Sequence, residues 1–272
     1  MWRKALVAKE RIDVLLVQKG FYSSREQAKR AVMAGIVRDD YDIIDKPGTK
    51  IDVNSNLFVK GDTMRYVSRG GLKLEKALQL FTISIEDKVV ADIGSSTGGF
   101  SDCALQNGAK KIYAIDVGTN QLVWKLRNDP RVIVKEKTNF RYANKELFSE
   151  GIPDFVCIDV SFISLMHIFT PLAQIVDNGT PVIALIKPQF EAGKGAVGKK
   201  GIVRDAKVHA EVIYKVKSFS EEVGFSLEKL TFSPITGGEG NIEFLGLFVK
   251  NGNTEPIDVE RVVNEAHLNL KG

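Results

Sequence analysis

The sequence predicts an α/β protein whose larger part is built on a mostly parallel sheet, with a small α+β domain before it. Two observations carry this prediction. In the larger part, short runs rich in valine and isoleucine alternate with longer segments of helical or loop character, which is typical of parallel strands covered on both faces. In the N-terminal part, two amphipathic helix patterns precede a group of short strand patterns.

Two helices are predicted near the N-terminus. The first lies in ERIDVLLVQKG, residues 10–20, and ends with Gly20 as its C-cap. The second lies in SSREQAKRAVMAG, where Ser23 and Glu26 form a capping-box pattern and Gly35 stops the helix. Each helix has one apolar stripe for burial: Ile12, Leu15 and Leu16 in the first, and Ala28, Ala31 and Val32 in the second.

The N-terminal part of the chain is basic. Residues 1–73 contain 15 Lys and Arg against 9 Asp and Glu, a net charge of +6, whereas the remainder has 23 against 25, a net charge of −2. The second helix leaves Arg25, Lys29 and Arg30 opposite its apolar stripe, as a surface that can face phosphates. A polyanionic partner and a merely solvated basic face are both consistent with this charge.

The segment IVRDDYDIIDKPGTKI predicts short strands with a turn at Pro47-Gly48. Residues 9–58 resemble the S-four-type RNA-binding domain, because the elements Arg11-Ile12-Asp13, Ser24-Arg25 and Lys46-Pro47-Gly48 occur in order. The run RDDYD after Val37 departs from the usual valine-asparagine-glycine turn, and its acids weaken a contact of this loop with phosphate. The resemblance implies a domain over residues 1–58 that binds structured RNA, with these contact residues: Arg11, Arg25, Lys29 and Arg30.

A polar connection, residues 59–69, leads into the larger domain, residues 70–250. Five runs are predicted to be its parallel strands: KVVADIG, KIYAID, RVIVKE, DFVCIDV and TPVIALIK. LEKLTFSPI and IEFLGLFVK are close enough in sequence to form a closing antiparallel pair. The tail, residues 251–272, is predicted to form an amphipathic helix that buries Val259, Val262, Val263 and Ala266.

The first strand of this domain opens into a glycine-rich turn, ADIGSSTGGFSD. The dinucleotide fingerprint needs glycine where Ser96 stands, and the phosphate-binding loop of nucleotide triphosphatases needs lysine where Phe100 stands. A cofactor with an adenosine but no phosphate fits better, which favours S-adenosylmethionine. The expected contact residues are Gly94, Ser95, Ser96, Thr97, Gly98, Gly99 and Phe100.

Asp116 supplies a second element of this cofactor site. It ends the strand KIYAID, 22 residues after Gly94, where an acidic side chain accepts hydrogen bonds from ribose hydroxyls. An unmodified ribose suits S-adenosylmethionine or NAD and argues against NADP. A tight turn with a strand-end carboxylate and no ligand is the structural alternative.

Four charged residues stand where charge is costly without a purpose. Lys73 continues an apolar helical stripe, Asp159 and Lys187 end predicted strands, and Glu243 opens one. Turn capping, snorkelling and mutual neutralisation are the ordinary explanations for each residue alone. Two lysines with two acids at one sheet edge favour a site, since packed cations depress a lysine's pKa and a neutral amine can take a proton from a hydroxyl.

Seven motifs in fixed order carry a second resemblance: SRGGLKLEKAL, ADIGSSTGGFSDCALQNGA, YAIDVGTNQLVWKLRNDPRV, IDVSFISL, IKPQFEAGKG, GIVRD and SPITGGEGNIEF. Behind the RNA-binding domain they resemble the TlyA family of ribosomal RNA 2′-O-ribose methyltransferases, which are related to FtsJ heat-shock methyltransferases and often labelled hemolysins. The resemblance covers about residues 9–250. It implies a Rossmann-like fold that depends on S-adenosylmethionine, with a mostly parallel sheet and one antiparallel strand.

The resemblance also implies the active-site residues. The Lys-Asp-Lys-Glu tetrad of ribose methyltransferases falls on Lys73, Asp159, Lys187 and Glu243. Lys187 is the candidate general base for a ribose 2′-hydroxyl, the other three orient and tune it, and the target nucleoside in ribosomal RNA is expected to be a cytidine. The segment GKGAVGKKGIVRD is more basic than the usual family run. It is either a loop that closes over RNA or a solvated segment, and its cations are Lys194, Lys199, Lys200 and Arg204.

Composition bounds the remaining possibilities. No run approaches the ~20 apolar residues of a membrane span, and MWRKALVAKER lacks the apolar core of a secretory signal. Cys103 and Cys157 suggest buried thiols in a reducing compartment, and no Cys/His cluster has zinc spacing. The chain is therefore expected to be cytoplasmic, to bind no metal and to have no membrane partner. Its oligomeric state is left open, and a monomer is one possibility.

Three functions from other classes are the alternatives. A noncatalytic ribosomal RNA-binding or assembly factor would keep the fold but not bind the cofactor. A membrane-lytic hemolysin would need a strongly amphipathic apolar element or a secretion route, and the tail helix is short and mildly apolar. An NAD oxidoreductase is disfavoured by Ser96 and by the lack of a hydride-transfer constellation.

Overall fold

The computed structural model describes residues 9–19, 21–22, 24–39, 42–53, 55, 57–59, 65–193, 195–198, 201–254 and 256–270. The chain divides into two compact units between Met64 and Arg65.

The described residues of the first unit form two helices and two small sheets. β1 pairs with β4, and β3, β2 and β5 form a second antiparallel sheet in that order. The elements are β1 (Lys9–Arg11), α1 (Ile12–Gln18), α2 (Arg25–Met33), β2 (Val37–Asp39), β3 (Asp42–Ile44), β4 (Lys50–Asp52) and β5 (Leu57–Val59).

The helices of the first unit pack as their periodicity predicts, because both apolar stripes are buried: Ile12, Leu15, Leu16, Ala28, Ala31 and Val32. The predicted capping box is wrong. Ser24 is the N-cap of α2, and its Oγ accepts a hydrogen bond from Gln27 N at 3.4 Å. The Glu26 carboxylate pairs with Lys29 at 2.8 Å, and Ser23 and Gly20 lie outside the described residues.

The second unit is an α/β layer structure. Its strands are β6 (Val89–Ile93), β7 (Lys111–Ile115), β8 (Val132–Lys135), β9 (Phe155–Ile158), β10 (Pro181–Ile186), β11 (Phe225–Phe232) and β12 (Phe244–Lys250). Its helices are α3 (Gly70–Phe81), α4 (Gly99–Gln106), α5 (Trp124–Arg127), α6 (Met166–Ile175), α7 (Pro188–Glu191), α8 (Ala206–Glu222) and α9 (Val259–Leu270).

The seven strands form one sheet in the order β11-β12-β10-β9-β6-β7-β8. The five strands from β10 to β8 are parallel, and β12 runs antiparallel to both of its neighbours. The prediction of a mostly parallel sheet with one antiparallel strand is therefore confirmed. Because β12 begins at the edge where β10 ends, with Ile186 opposite Phe244, the residues that flank this pair meet at the carboxyl edge of the sheet.

Helices cover both faces of the sheet, as continuous apolar strands require. On one face, Phe169 lies between the rings of Phe225 and Phe248, with both ring centroids at 4.9 Å. The C-terminal helix α9 joins this core through Val259, Val262, Val263 and Ala266, the residues of its predicted stripe. On the other face, α3 and α4 pack together, and Cys103 is buried there as predicted; Cys157 is buried within the sheet. None of the helices in the described ranges is long and apolar enough to cross a membrane.

Candidate active site

The glycine-rich turn joins β6 to α4 and is shaped by close backbone contacts. The amides of Gly94 and Ser95 both donate to the carbonyl of Ile115 in β7, at 2.8 and 3.1 Å. Gly94 has φ of +87°, and a Cβ there would lie 2.4 Å from the backbone oxygen of Asp159. A side chain at position 94 would therefore push away the segment that carries Asp159.

The seven predicted cofactor contacts differ in exposure. The side chains of Ser96 and Thr97 are exposed at the tip of the turn, whereas Ser95, Gly98 and Gly99 are buried. The ring of Phe100 is also buried, in the core with α3. The side chains of Ser96 and Thr97, with the backbone at Gly94, therefore form the most accessible part of the turn.

Asp116 follows β7 and binds the same turn. Its Oδ2 accepts a hydrogen bond from Ser96 N at 2.8 Å, and its Oδ1 accepts one from Gly118 N at 2.7 Å. The carboxylate is only half-buried, and each of its oxygens has capacity for a second hydrogen bond. Asp116 thus holds the turn in shape and can still accept hydrogen bonds from ligand hydroxyls.

The structure brings the four predicted catalytic residues into one connected series. Lys73 Nζ lies 2.7 Å from Glu243 Oε2 and 3.7 Å from Asp159 Oδ2, and Lys187 Nζ lies 2.5 Å from Asp159 Oδ1. Lys73 and Lys187 are 8% exposed and Glu243 is 2% exposed. The series therefore alternates in charge, from Glu243 through Lys73 and Asp159 to Lys187, and water is largely excluded from it.

Three of the four residues reach this place from strand ends. Asp159 directly follows β9, Lys187 directly follows β10, and Glu243 directly precedes the antiparallel strand β12. Parallel strands end at one edge, and an antiparallel neighbour begins there, so all three side chains meet at that edge. Lys73 comes from the first turn of α3 and completes the series from the adjacent helix layer.

Charge pairing controls the protonation of the central residues. Burial by itself raises the pKa of Asp159, but the ammonium groups of Lys73 and Lys187 outweigh burial and hold that pKa below its ordinary value. Burial likewise lowers the pKa of Lys73, but Asp159 and Glu243 outweigh it and raise that pKa. The expectation of a depressed lysine pKa is therefore wrong for Lys73, which is held as a cation by its two carboxylates.

Lys187 has further neighbours that sequence reasoning missed. Its Nζ donates a hydrogen bond to Ser161 Oγ at 3.0 Å and lies 5.9 Å from the ring centroid of Phe190. The ring of Phe190 lies 5.0 Å from that of Phe162, which is 91% exposed and has φ of +62°. The run VSFIS directly after β9 was the available signal, because residues that follow a strand at the carboxyl edge surround the site.

Asp92 lies below the turn, inside β6, and is fully buried. Its Oδ2 accepts a hydrogen bond from Ser101 Oγ at 2.6 Å, and its Oδ1 has no hydrogen-bond partner in the described part of the chain. Burial raises the pKa of this carboxyl to about 7. Asp92 therefore connects the strand before the turn to the helix after it. Its ionisation lowers the stability of the folded state, because burial disfavours the charged form.

The predicted RNA-binding residues of the first unit have different environments. Arg11 Nε and Arg25 Nη2 hold the buried carboxylate of Asp13 at 2.9 and 2.8 Å, and chiefly through Arg11 they set its pKa at about 2. Lys29 pairs with Glu26. Arg30 is exposed and makes no ion pair with the residues that the structure describes. Arg11 and Arg25 therefore stabilise this unit, while Arg30 has its charge available for a partner.

The basic loop is described only in part. Arg204 is exposed ahead of α8 and forms no ion pair within the described ranges, whereas Lys194, Lys199 and Lys200 lie outside the described residues. Within those ranges there is also no group of three or more His, Cys, Asp or Glu side chains placed to hold a metal ion.

Comparisons with known proteins find similarity over nearly the whole chain. Residues 66–250 match the family described as FtsJ-like methyltransferase, and residues 10–57 match the S4 domain. The Bacillus subtilis (strain 168) protein named "Putative rRNA methyltransferase YqxC" is 58% identical over 97% of this chain and 96% of its own. The Mycobacterium tuberculosis protein named "16S/23S rRNA (cytidine-2'-O)-methyltransferase TlyA" is 40% identical over 88% of this chain and 89% of its own.

A solved structure shows the same architecture. The structure named "Putative hemolysin from Streptococcus thermophilus" has a TM-score of 0.80 and 53% sequence identity, and the match covers 97% of each chain.

Proposed function

Because the chain belongs to the FtsJ-like methyltransferase family, with TlyA among its relatives, we propose that it methylates a ribose 2′-hydroxyl of ribosomal RNA with S-adenosylmethionine as the methyl donor. The target nucleoside is a cytidine, in line with the name of the M. tuberculosis relative. The observation that carries this proposal is the buried series Glu243, Lys73, Asp159 and Lys187 at the carboxyl edge of the sheet.

The turn after β6 fits S-adenosylmethionine. Residues 94–100 contain no lysine or arginine to pair with a phosphate. The side chains of Ser96 and Thr97 are exposed, and the backbone amide of Ser96 donates to the carboxylate of Asp116. A carboxylate at this position suits the two hydroxyls of an unmodified ribose. When bound, the cofactor supplies a methyl group on a positively charged sulfur.

Lys187 is the residue that accepts the proton of the 2′-hydroxyl. Its Nζ is held by Asp159 and Ser161, which leaves one direction of the nitrogen for the substrate. Asp159 is fixed from its other oxygen by Lys73, and Lys73 is fixed by Glu243. Positioning of the hydroxyl and removal of its proton are the contributions of these side chains, and general base catalysis of this kind typically contributes about 10²–10⁴-fold.

The first unit binds the RNA. We propose residues 1–58 as the RNA-binding domain, 59–69 as the connection, 70–250 as the methyltransferase domain and 251–272 as its C-terminal tail. Residues 1–58 contain 11 Lys and Arg against 8 Asp and Glu, and this net charge of +3 supports binding to a polyanion. We propose that the target nucleotide is presented to the site out of its helix and that the cations Lys194, Lys199, Lys200 and Arg204 help to hold it. The cytoplasm is the proposed compartment, because ribosomal RNA is the substrate.

Replacement of Lys187 tests the function and the base together. We expect Lys187→Ala to lower single-turnover methylation of ribosomal subunits by about 10²-fold or more, with binding of S-adenosylmethionine in calorimetry unchanged within about threefold. Lys110→Ala, an exposed lysine before β7 at the opposite edge of the sheet, is the matched control and should retain activity.

Each alternative has its own outcome in this experiment. A Lys187→Ala protein that methylates at the normal rate contradicts the base assignment. A wild-type protein that binds ribosomal RNA but neither binds S-adenosylmethionine nor methylates contradicts the enzyme, and leaves a noncatalytic RNA-binding protein.

A further inference from the structure

Ser161 stands beside the lysine that accepts the proton. Its Oγ accepts a hydrogen bond from Lys187 Nζ at 3.0 Å, while Asp159 Oδ1 lies 2.5 Å from the same nitrogen. We propose that Ser161 is a positioning residue for Lys187, which sets the rotation of the amine so that its lone pair faces the substrate hydroxyl. This inference rests on the proposed function, because it assumes that Lys187 is the base.

The form of Lys187 that can accept a proton is the neutral amine left when the ammonium group paired with Asp159 has released one proton. Such a nitrogen carries two hydrogens and one lone pair in tetrahedral directions, in addition to its bond to Cε. With only Asp159 as an acceptor, one hydrogen is fixed and the second can exchange places with the lone pair. With Ser161 as a second acceptor, both hydrogens are occupied and the lone pair takes the third direction. The serine therefore decides whether the base presents its lone pair or a hydrogen to the substrate.

The hydroxyl of Ser161 has no competing role. In the described residues its side chain makes a hydrogen bond to Lys187 and to no other group. The nearby Ser164 has a different task, since its Oγ donates to Glu191 Oε2 at 2.7 Å and accepts from Met166 N at 3.3 Å at the start of α6. Ser161 is therefore available to the lysine alone.

A second bridge keeps the Ser161 segment close to Lys187. Glu191 ends α7, the short helix that begins directly after Lys187. Its carboxylate is 3% exposed and accepts hydrogen bonds from Ser164 Oγ and Leu165 N, both at 2.7 Å. Lys187, which precedes α7, thus binds Ser161. Glu191, at the other end of α7, binds Ser164 and Leu165 of the same segment.

The backbone between the two bridges is held in an uncommon conformation. Phe162, which directly follows Ser161, has φ of +62°, in the left-handed region that is unfavourable for a residue other than glycine. Such a conformation persists only when its surroundings determine it. Glu191 on one side and the ring contact of Phe162 with Phe190 on the other supply those surroundings.

The test compares three substitutions of exposed serines in the full-length protein. We expect Ser161→Ala to lower kcat for ribosomal RNA methylation about tenfold, with KM for RNA and S-adenosylmethionine unchanged within about twofold. Ser161→Thr keeps the hydroxyl and should recover kcat to within about threefold of the wild type. Ser84→Ala, in the loop before β6 at the opposite edge of the sheet, is the matched control and should have wild-type kinetics.

Three results overturn the inference. The first is an alanine variant with wild-type kcat, the second is a threonine variant as slow as the alanine variant, and the third is a change confined to KM. All three require a wild-type protein that methylates RNA, so they are distinct from failure of the proposed function, in which the wild type itself is inactive.

A double-mutant cycle tests the role of Glu191. If Glu191 acts through Ser161, Glu191→Ala combined with Ser161→Ala should be no more than about twofold slower than Ser161→Ala alone. Multiplication of the two single effects would show that Glu191 acts independently of Ser161. Should Glu191→Ala unfold, Glu191→Gln, which keeps an acceptor for Leu165 N, takes its place in the cycle.

Discussion

At the scale of single residues, the active site is a problem of charge compensation. Two lysines and two carboxylates share one largely buried place, and removal of one partner leaves another buried charge unpaired. Lys73 is the central case, because it serves two carboxylates and its raised pKa keeps it protonated. We infer that Lys73 stabilises the site electrostatically and that Lys187 handles the proton.

Replacement of Lys73 tests this division. Lys73→Met leaves Asp159 and Glu243 without their shared cation, and we expect a loss of about 3–5 kcal/mol in the free energy of unfolding, together with loss of methylation. The double variant Lys73→Met, Glu243→Gln removes a charge of each sign and should recover most of this stability without recovering activity. Urea unfolding and a methylation assay measure the two effects, and a double variant as unstable as the single variant would contradict the pairing.

Asp92 gives a prediction for the pH dependence of stability. Burial raises its pKa from an ordinary 3.8 to about 7, so the folded state binds this proton more tightly than the unfolded state. Stability is therefore highest below the unfolded pKa and falls as pH rises through the interval from about 4 to about 7. Asp92→Asn keeps an acceptor for Ser101 Oγ and removes the ionisation.

The melting temperatures of both proteins, measured from pH 4 to pH 8, check this prediction. We expect the difference in favour of Asp92→Asn to grow with pH and to level off above about pH 7. Asp13 does not interfere: its lowered pKa of about 2 means that its contribution is present above about pH 4 and is lost only as pH falls toward 2. Parallel curves for the two proteins would contradict the prediction.

At the scale of elements, the site depends on where strands end and how closely they approach. The antiparallel strand β12 lies between β10 and β11 and begins opposite the end of β10, so Glu243 and Lys187 flank this pair at the same edge of the sheet. The turn after β6 lies against the residue that follows β9, with no room for a side chain at Gly94. The turn after β6 and the residue after β9 must therefore be in direct backbone contact for the glycine-rich turn and Asp159 to lie in one site.

Gly94→Ala tests this contact against a matched glycine. Gly94 and Gly179 have φ of +87° and +82°, but a Cβ at Gly179 would meet nothing within 4 Å. Both variants place an alanine at a positive φ, which is unfavourable for a residue with a Cβ. We therefore expect a modest fall in melting temperature for Gly179→Ala, and a larger fall with loss of S-adenosylmethionine binding for Gly94→Ala. Calorimetry and thermal unfolding measure both effects, and equal behaviour of the two variants would contradict the steric argument.

At the scale of the whole molecule, the chain combines a basic unit that resembles an RNA-binding domain with a nearly neutral catalytic unit. Residues 1–64 contain 12 Lys and Arg against 9 Asp and Glu, a net charge of +3, and residues 65–271 contain 26 against 25, a net charge of +1. Together with the S4 match of residues 10–57, this difference favours binding of RNA by the first unit. Changes in the first unit should therefore alter the binding of RNA and leave the binding of the cofactor unchanged.

Arg30→Ala tests this division of labour. Arg30 is exposed and has no ion pair in the part of the chain that the structure describes, so its loss should not alter the melting temperature. We expect weaker binding of ribosomal RNA and a salt dependence shallower by about one unit of log–log slope. Lys110→Ala in the second unit removes the same charge and should leave RNA affinity unchanged. Unaltered affinity of Arg30→Ala would remove this residue from the RNA-binding surface.

Much of the architecture was predictable because it depends on local patterns. Strand periodicity, the glycine turn and the positions of Asp116, Asp159 and Lys187 at strand ends can all be read within short windows, and topology rules then bring strand ends together. The helix stripes of both units and the antiparallel closing pair are likewise confirmed. The prediction of Ser23 as the N-cap was wrong because Ser23 and Ser24 are equally good caps by residue type. Only the hydrogen bond from Gln27 N identifies Ser24 as the N-cap.

The sequence by itself determined the fold class and the family, and it named the four residues that the structure brings together at the sheet edge, since each of these depends on residue type and local spacing. Only the tertiary structure decided how those residues share charge. Lys73 and Glu243 are 170 positions apart, and their contact makes Lys73 a fixed cation. Arg11 and Arg25 bind Asp13 in addition to any RNA, and Ser161 joins Lys187 across the sheet edge. Pairing between distant side chains depends on packed distances of a few ångströms, which no local pattern encodes.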